Sequence, residues 1–429
     1  MRLVRPAGSV FSPLDEGLDL LPGELTPSLV ESLVRLGTWL PFRPAAWMLA
    51  HFTRVGVGAT TARRLTAQAG TAYEAVQTAA VEQLERELPP APQGPAVQLL
   101  SVDGAMVPLV QGQWAEVKTL ALGVVQEPVV NRRGAQEVHT TDLSYFSRLT
   151  DHETFGRLAT VETHRRGTET AGVVCAVVDG AEWEQGVIAL HRPDAVRILD
   201  WGHAVEYLGA AAQAAYGAGT VRAETGLAQQ RHALTHDDPQ TVLAALRALR
   251  AEVAAPSAEQ GADASAPGAV ITHSLEYLEK RLAQIQYATF AAQGYPLGSG
   301  SVESANKLVG EARLKGAGMR WARAHVNPLV ALRTVACSDR WEEAWPQISA
   351  QWRAQVGTRR RERATARRQA AAAPPPVEPA PPPAMAPPST APAPRPPAPV
   401  APPPARRGPR RPAADHPWRH APIGRARCA

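Results

Sequence analysis

Three short islands, far apart in the chain, each place one acidic residue beside an apolar run or a glycine turn: Leu99–Asp103 (LLSVD), Val173–Asp179 (VVCAVVD) and Gly298–Glu303 (GSGSVE). The first two read as buried strands whose last residue emerges at a sheet edge, and the third as a glycine-rich turn opening a helix. Brought together, Asp103, Asp179 and Glu303 make a pocket of carboxylates, whose mutual repulsion calls for a hard divalent cation. Oxygen donors suit Mg²⁺ or Mn²⁺, and no His/Cys constellation suits zinc instead. Two such ions, about 3.5–4 Å apart, activate an attacking oxygen and stabilise a departing one. The predicted chemistry is phosphoryl transfer, with DNA as the expected substrate.

Asp103 and Asp179 share a local frame, VDGA, at Val102–Ala105 and Val178–Ala181. In both, the glycine after the aspartate is expected to turn the backbone sharply and leave the carboxylate exposed. Glu303 follows Leu297-Gly298-Ser299-Gly300-Ser301 and belongs in the first turn of its helix, where the helix dipole favours negative charge. Taken singly, each of the three also fits a turn or cap role. Glu311 is a rival carboxylate on the same helix, and adjacency to the turn favours Glu303. Asp200 closes the run AVRILD, and His203 lies three residues on, at the start of a helix. As auxiliaries they would meet a scissile phosphate or steady the strand end; a helix-terminal histidine satisfied by the backbone is the plainer alternative. Downstream, LKGAGMRWARAH interleaves glycine, cations and tryptophan. With Lys315, Arg320 and Trp321 it reads either as a loop gripping a phosphate backbone and stacking on an unpaired base, or as a charged face with Trp321 in the core.

Taken together, SVDGAMVPL, EVKTLALG, VVDGAEW, LDWGHAVEYL, YPLGSGSVESANK and RLKGAGMRWARAHVNP resemble the bacterial insertion-sequence transposases of the DDE class, in the ISKra group, which is similar in layout to the Mutator superfamily. The resemblance covers approximately residues 20–350. It implies a ribonuclease-H-like catalytic domain with a helical insertion between its last strand and the glutamate helix. It further implies a catalytic and metal-binding triad at Asp103, Asp179 and Glu303, and an Asp-x-x-His signature at Asp200 and His203. The activity implied is cleavage and strand transfer at the ends of the enzyme's own element: water first frees a 3′ hydroxyl, which then attacks target DNA. The implied partners are double-stranded DNA, as element ends and target, and further copies of the chain in a homo-oligomeric complex. Two features depart from the group. No cysteine precedes VFSPLDEG, where many members carry a cysteine-rich segment, and the Pro/Ala/Arg tail is unlike the usual end; both fit a truncated or frame-altered copy. A catalytically inactive remnant that only binds DNA, and a structure-selective nuclease without strand transfer, are the competing readings.

Positioning these groups falls to an α/β architecture: a mixed sheet covered by helices, preceded by a small all-α helix-turn-helix module and followed by a disordered tail. Residues 1–25 read as irregular. Within 26–95, helical spacing marks Ser28–Leu40, Pro44–Phe52, Ala59–Ala69 and Tyr73–Leu88, closed by the proline cluster Pro89–Pro95. The second and third of these, hinged at Val55–Gly58, outline a helix-turn-helix with Thr61, Arg63 and Arg64 turned to a major groove; a structural cap is the alternative. Residues 96–204 hold strands at Val97–Asp103, Val117–Val125, Gly172–Asp179 and Ala195–Asp200, and a charged helix over Tyr145–Arg166. Residues 205–292 are expected as the helical insertion, interrupted by a loop at Ala254–Gly268. Residues 293–350 carry the glutamate helix, Val302–Arg313, and a helix over Pro328–Trp341, and 357–429 form the disordered Pro/Ala/Arg-rich tail.

At 429 residues the chain allows two or three domains. Its formal charge of +5 hides an asymmetry: from Gly357 onward 14 Arg face 3 acids, so the tail is about +11 and the remainder about −6. Such a tail suits nucleic acid or a solvated arm. Cys175, Cys337 and Cys428 form no CxxC pair, which fits a reducing cytosol. Neither a signal peptide nor an apolar run of ~20 residues is present, so no membrane is expected, and the expected location is cytoplasmic and nucleoid-associated. Removing residues 357–429 is expected to weaken salt-sensitive nonspecific DNA binding while leaving the body folded. The slope of log affinity against log salt measures this, and an unchanged slope would deny the tail that role.

Overall fold

The computed structural model describes residues 25–254 (apart from 133 and 135) and 267–372, together with a short strand pair, Leu3–Val4 with Val10–Phe11. Five strands form one mixed sheet: β1 (Val97–Pro108), β2 (Trp114–Val125), β3 (Thr140–Arg148), β4 (Val173–Val178) and β5 (Val196–Leu199). Their order is β3-β2-β1-β4-β5; the first three are an antiparallel meander, and β4 and β5 join it in parallel. Side chains alternate between faces with period two. Leu100, Val102, Val174, Ala176 and Val178 pack on one face, and Leu99, Cys175 and Val177 on the other. With both faces covered, β4 is apolar throughout.

Two expected boundaries move for the same reason. β1 does not stop at Asp103 but continues to Pro108, because β2 pairs with it as far as Trp114. The expected helix over Tyr145–Arg166 begins only at His152: Tyr145–Arg148 is claimed by pairing with β2, and Asp151 then caps the helix by accepting the Thr154 N–H at 2.8 Å. A partner strand along the whole length outweighs local propensity.

Three helices precede the sheet: α1 (Pro27–Trp39), α2 (Phe42–Thr53) and α3 (Ala59–Glu87). α4 (His152–Arg165) and α5 (Glu182–His191) connect strands and cover one face with Phe155, Ala159, Val187 and Ile188. The insertion comprises α6 (Trp201–Tyr216), α7 (Val221–His236), α8 (Pro239–Ala254), α9 (Pro267–Lys280) and α10 (Tyr287–Ala292), and it covers the other face. α11 (Gly300–Ala305) continues through a π turn, Asn306–Glu311, into Ala312–Leu314. α12 (Val326–Cys337) and α13 (Trp341–Ala372) follow, separated by a left-handed Asp339 (φ 53°) where one helix over Pro328–Trp341 was expected.

The helices expected at 59–69 and 73–88 are one, since α3 runs straight through Gly70. That glycine serves a close approach instead of a break: a Cβ there would overlap the backbone of Pro328 on α12. The contact belongs to a larger one. Leu33, Val34, Leu49, Leu65 and Ala69 share a single apolar cluster with Leu332, Val335, Trp341, Ile348 and Trp352, so the N-terminal helices complete their core with α12 and α13. α13 runs past residue 357, where the tail was expected to begin, and residues 373–429 lie outside the described residues, as does most of the expected loop Ala254–Gly268. Among the described residues, no helix is long and apolar enough to cross a membrane.

Gly70→Ala is expected to cost about 1–3 kcal/mol through overpacking. Gly186→Ala, on α5 with nothing within 4 Å of its added Cβ, is expected to stabilise by about 0.5–1 kcal/mol. Urea unfolding of the two variants checks the pair.

Candidate metal centre

β1 and β4 pair in parallel with Leu99 opposite Cys175. The same offset of 76 residues joins Ser101, whose Oγ donates to the Val177 carbonyl at 2.7 Å, and it also separates Asp103 from Asp179. Register thus brings the two VDGA frames side by side, with both aspartates on the face that bears Leu99 and Cys175. Their backbones differ, however. Gly104 stays extended opposite Lys118, whereas Gly180 takes φ +85° and turns the chain from β4 into α5.

One carboxylate oxygen each from Asp103, Asp179 and Glu184 lie within 4.8 Å of one another. Glu184 lies outside the acidic motifs that the sequence marks. It is buried in the first turn of α5, and its Oε2 accepts the Gly180 and Ala181 N–H groups, both at 2.9 Å. The signal was present: a glutamate at the third helical position after a turn reaches back to cap its own helix. Glu303 sits in the first turn of α11, as expected, but it is exposed and outside that tight group of three. Its charge nonetheless raises the pKa of both aspartates, which puts it in the same electrostatic neighbourhood. One turn further on, Asn306 donates its amide to Asp103 Oδ2 at 2.7 Å and so ties this helix to β1. The rival Glu311 is paired with Lys315 at 2.6 Å.

Burial is the main reason the Asp103 carboxyl is pushed up to about 6; the Asp179 and Glu303 charges add to it, and the Gly104 N–H and the Asn306 amide oppose it. Asp179 is raised chiefly by burial too, partly offset by His203. Glu184 is pushed up to about 8, by burial first and then by the Asp179 charge. These are costs that a cation in the cluster would reverse.

Asp200 and His203 do different things. Asp200 is buried; its Oδ1 accepts the His203 N–H and its Oδ2 the Ser299 N–H, both at 2.6 Å. One carboxylate therefore caps α6 and clasps the turn that launches the Glu303 helix. The His203 ring lies edge-on to Tyr207 and Tyr277, with Nδ1 3.5 Å from Glu206. The insertion reaches the second aspartate as well. From α9, the Tyr277 hydroxyl donates to the Asp179 carbonyl, and Arg281 donates to the Gly180 carbonyl at 2.6 Å.

The expected DNA-contacting residues fall into two groups. Arg63 and Arg64 are exposed on α3, with Arg64 3.3 Å from Gln68 Oε1, and Arg320 is exposed as well. Lys315 is held by Glu311. Trp321 is only 9% exposed: its indole N–H donates to the Leu314 carbonyl at 3.0 Å and its ring meets Phe42 edge-on. Its backbone closes the end of β1, accepting from the Val110 N–H and donating to the Pro108 carbonyl. The ring is thus a core residue, the second of the two sequence readings.

The donor set fits Mg²⁺ or Mn²⁺: all oxygen, clustered, and held with raised carboxyl pKa values. Asn306 Oδ1 adds a second sign, since it is buried beside Asp103 with no hydrogen-bond partner. No protein-family model matches the sequence, and no curated protein does either.

Carboxyls with raised pKa values bind protons more tightly folded than unfolded, so their contribution favours the fold at low pH. It is lost as pH climbs from the ordinary value near 4 through about 6 for Asp103 and about 8 for Glu184. Glu184→Gln is expected to flatten the decline of metal-free stability between about pH 5 and 8, by up to about 1.4 kcal/mol per pH unit. Thermal unfolding across that range measures it.

Proposed function

We propose that the protein is a metal-dependent DNA-strand-transferring enzyme on a ribonuclease-H-like fold, a DDE transposase acting on its own insertion sequence. The observation that carries this reading is the cluster of Asp103, Asp179 and Glu184, with Glu303 close enough to perturb both aspartates. Further support comes from the antiparallel meander extended by two parallel strands, and from the helical insertion that precedes the Glu303 turn. Double-stranded DNA and further copies of the chain are the proposed partners, and the nucleoid is the proposed location.

In this reading Asp103, Asp179 and Glu303 would hold Mg²⁺ or Mn²⁺, two ions being expected. When bound, the ions supply Lewis-acid stabilisation of the charge that develops at the transferring phosphoryl group. The chain's own residues fix the geometry. Asn306 orients Asp103, the Gly180 turn and Tyr277 present Asp179, and Asp200 sets the direction of the Glu303 helix through Ser299. Glu184 stiffens the Asp179 turn by taking its two free N–H groups. Such positioning matters because a displacement of about 1 Å at a reacting centre costs on the order of 10²-fold in rate.

Asp103→Asn, Asp179→Asn and Glu303→Gln are each expected to reduce Mg²⁺-dependent cleavage of element-end DNA by more than about 100-fold, with duplex affinity largely retained. Gel-resolved cleavage and fluorescence anisotropy measure the two. Near-normal cleavage by any one variant would remove that residue from the set. A wild-type protein that binds without cutting is an inactive remnant, and one that nicks without joining is a nuclease.

A further inference from the structure

A concave site lies apart from the carboxylates. It is a pocket of about 410 Å³ between the start of α3 and the loop that follows the Glu303 helix, and none of the four acids lines it. Its walls include Phe42, Trp321 and Leu329, with Arg63, Arg313, Arg320 and His325 among them. No carboxylate lines it at all. Among the described residues neither Arg63 nor Arg320 forms an ion pair, though both are exposed. Arg313 is 1% exposed, held between the Phe42 and Trp321 rings at 4.6 and 5.3 Å, with its guanidinium donating to the Gly37 carbonyl. The ring faces and the carbonyl dipole compensate this buried cation in part, and among the described residues no carboxylate pairs with it. Burial first, and then the second buried positive charge of Arg333 nearby, hold the Arg313 pKa down.

An anion-seeking mouth above an apolar, aromatic lining matches one kind of ligand closely. A nucleotide unit pairs a phosphate with a flat base, and a pocket of this volume lies within the range for small organic ligands. A base stacked within duplex DNA cannot enter such a pocket, while a mismatched or unpaired one leaves its stack at low cost. From these observations, and resting on the DNA reading above, we infer that this pocket takes a single unpaired nucleotide of a DNA strand, with the base against Phe42 and Leu329 and its phosphate between Arg63 and Arg320. The site gives the enzyme a way to recognise strand ends or distorted junctions, separate from the acidic centre.

The test uses the full chain and two otherwise identical duplexes, one fully paired and one with a single unpaired 2-aminopurine. Wild type is expected to bind the second at least about tenfold more tightly, with a change in 2-aminopurine fluorescence. The Arg63→Ala/Arg320→Ala variant, altered only at exposed positions, is expected to bind the two duplexes with equal affinity, whatever it loses on both alike through general phosphate or groove contact. Equal wild-type affinity for both duplexes, or a preference that survives in the variant, overturns the pocket inference and leaves the DNA reading standing. Displacement of the unpaired duplex by free dAMP at the duplex's own affinity would also overturn it, in favour of a free-nucleotide site. Absence of binding to either duplex brings down the DNA reading and this inference together.

Discussion

Carboxyl groups forced together out of water are the constraint around which this structure is arranged. Asp103, Asp179 and Glu184 bring oxygens within 4.8 Å of one another, and burial removes the water that would screen them. Nothing local to any one residue holds such a group together. The restraint is distributed: parallel register aligns the two aspartates, a left-handed Gly180 aims one of them, and backbone N–H groups absorb one oxygen of Glu184. Each of these is cheap alone, and together they overdetermine the arrangement.

The helical insertion changes meaning in this light. By length it is a long excursion between β5 and the Glu303 turn, yet it covers a sheet face and its α9 grips the carbonyls of Asp179 and Gly180. Asp200 couples the two ends of the excursion, because the residue that starts α6 also binds the turn where the chain returns. The loop between the last strand and the acidic helix is therefore a brace for the acidic centre. Beyond that turn the π segment at Asn306–Glu311 places Asn306 against Asp103; π-bulges are frequent where side chains need placement off the regular helical phase.

Much of this was legible in the sequence where the signal is local. Apolar runs gave the strands that carry Asp103 and Asp179, the glycine turn located Glu303, and helical spacing gave most of the helices. What stayed hidden depends on partners distant in the chain. Nothing in LLSVDGAMVP says that β2 pairs beyond the aspartate and keeps Gly104 extended, although the identical VDGA does turn at Gly180. Gly70 reads as a helix break because its function, contact with Pro328, lies far away in sequence. Trp321 reads equally as solvent-facing or core for the same reason: Phe42 and Leu314, which enclose it, are not its neighbours. Glu184 is different, because its place at the third helical position after a turn is itself a local cue.

The cluster that joins Leu33 and Leu65 to Leu332, Trp341 and Trp352 has a consequence for how the chain is made. Those first helices emerge from the ribosome long before the segments that seal their apolar side, so the nascent protein carries an open hydrophobic flank through most of its synthesis. Premature termination anywhere before α12 releases a product with that flank uncovered, a natural substrate for chaperones and proteases.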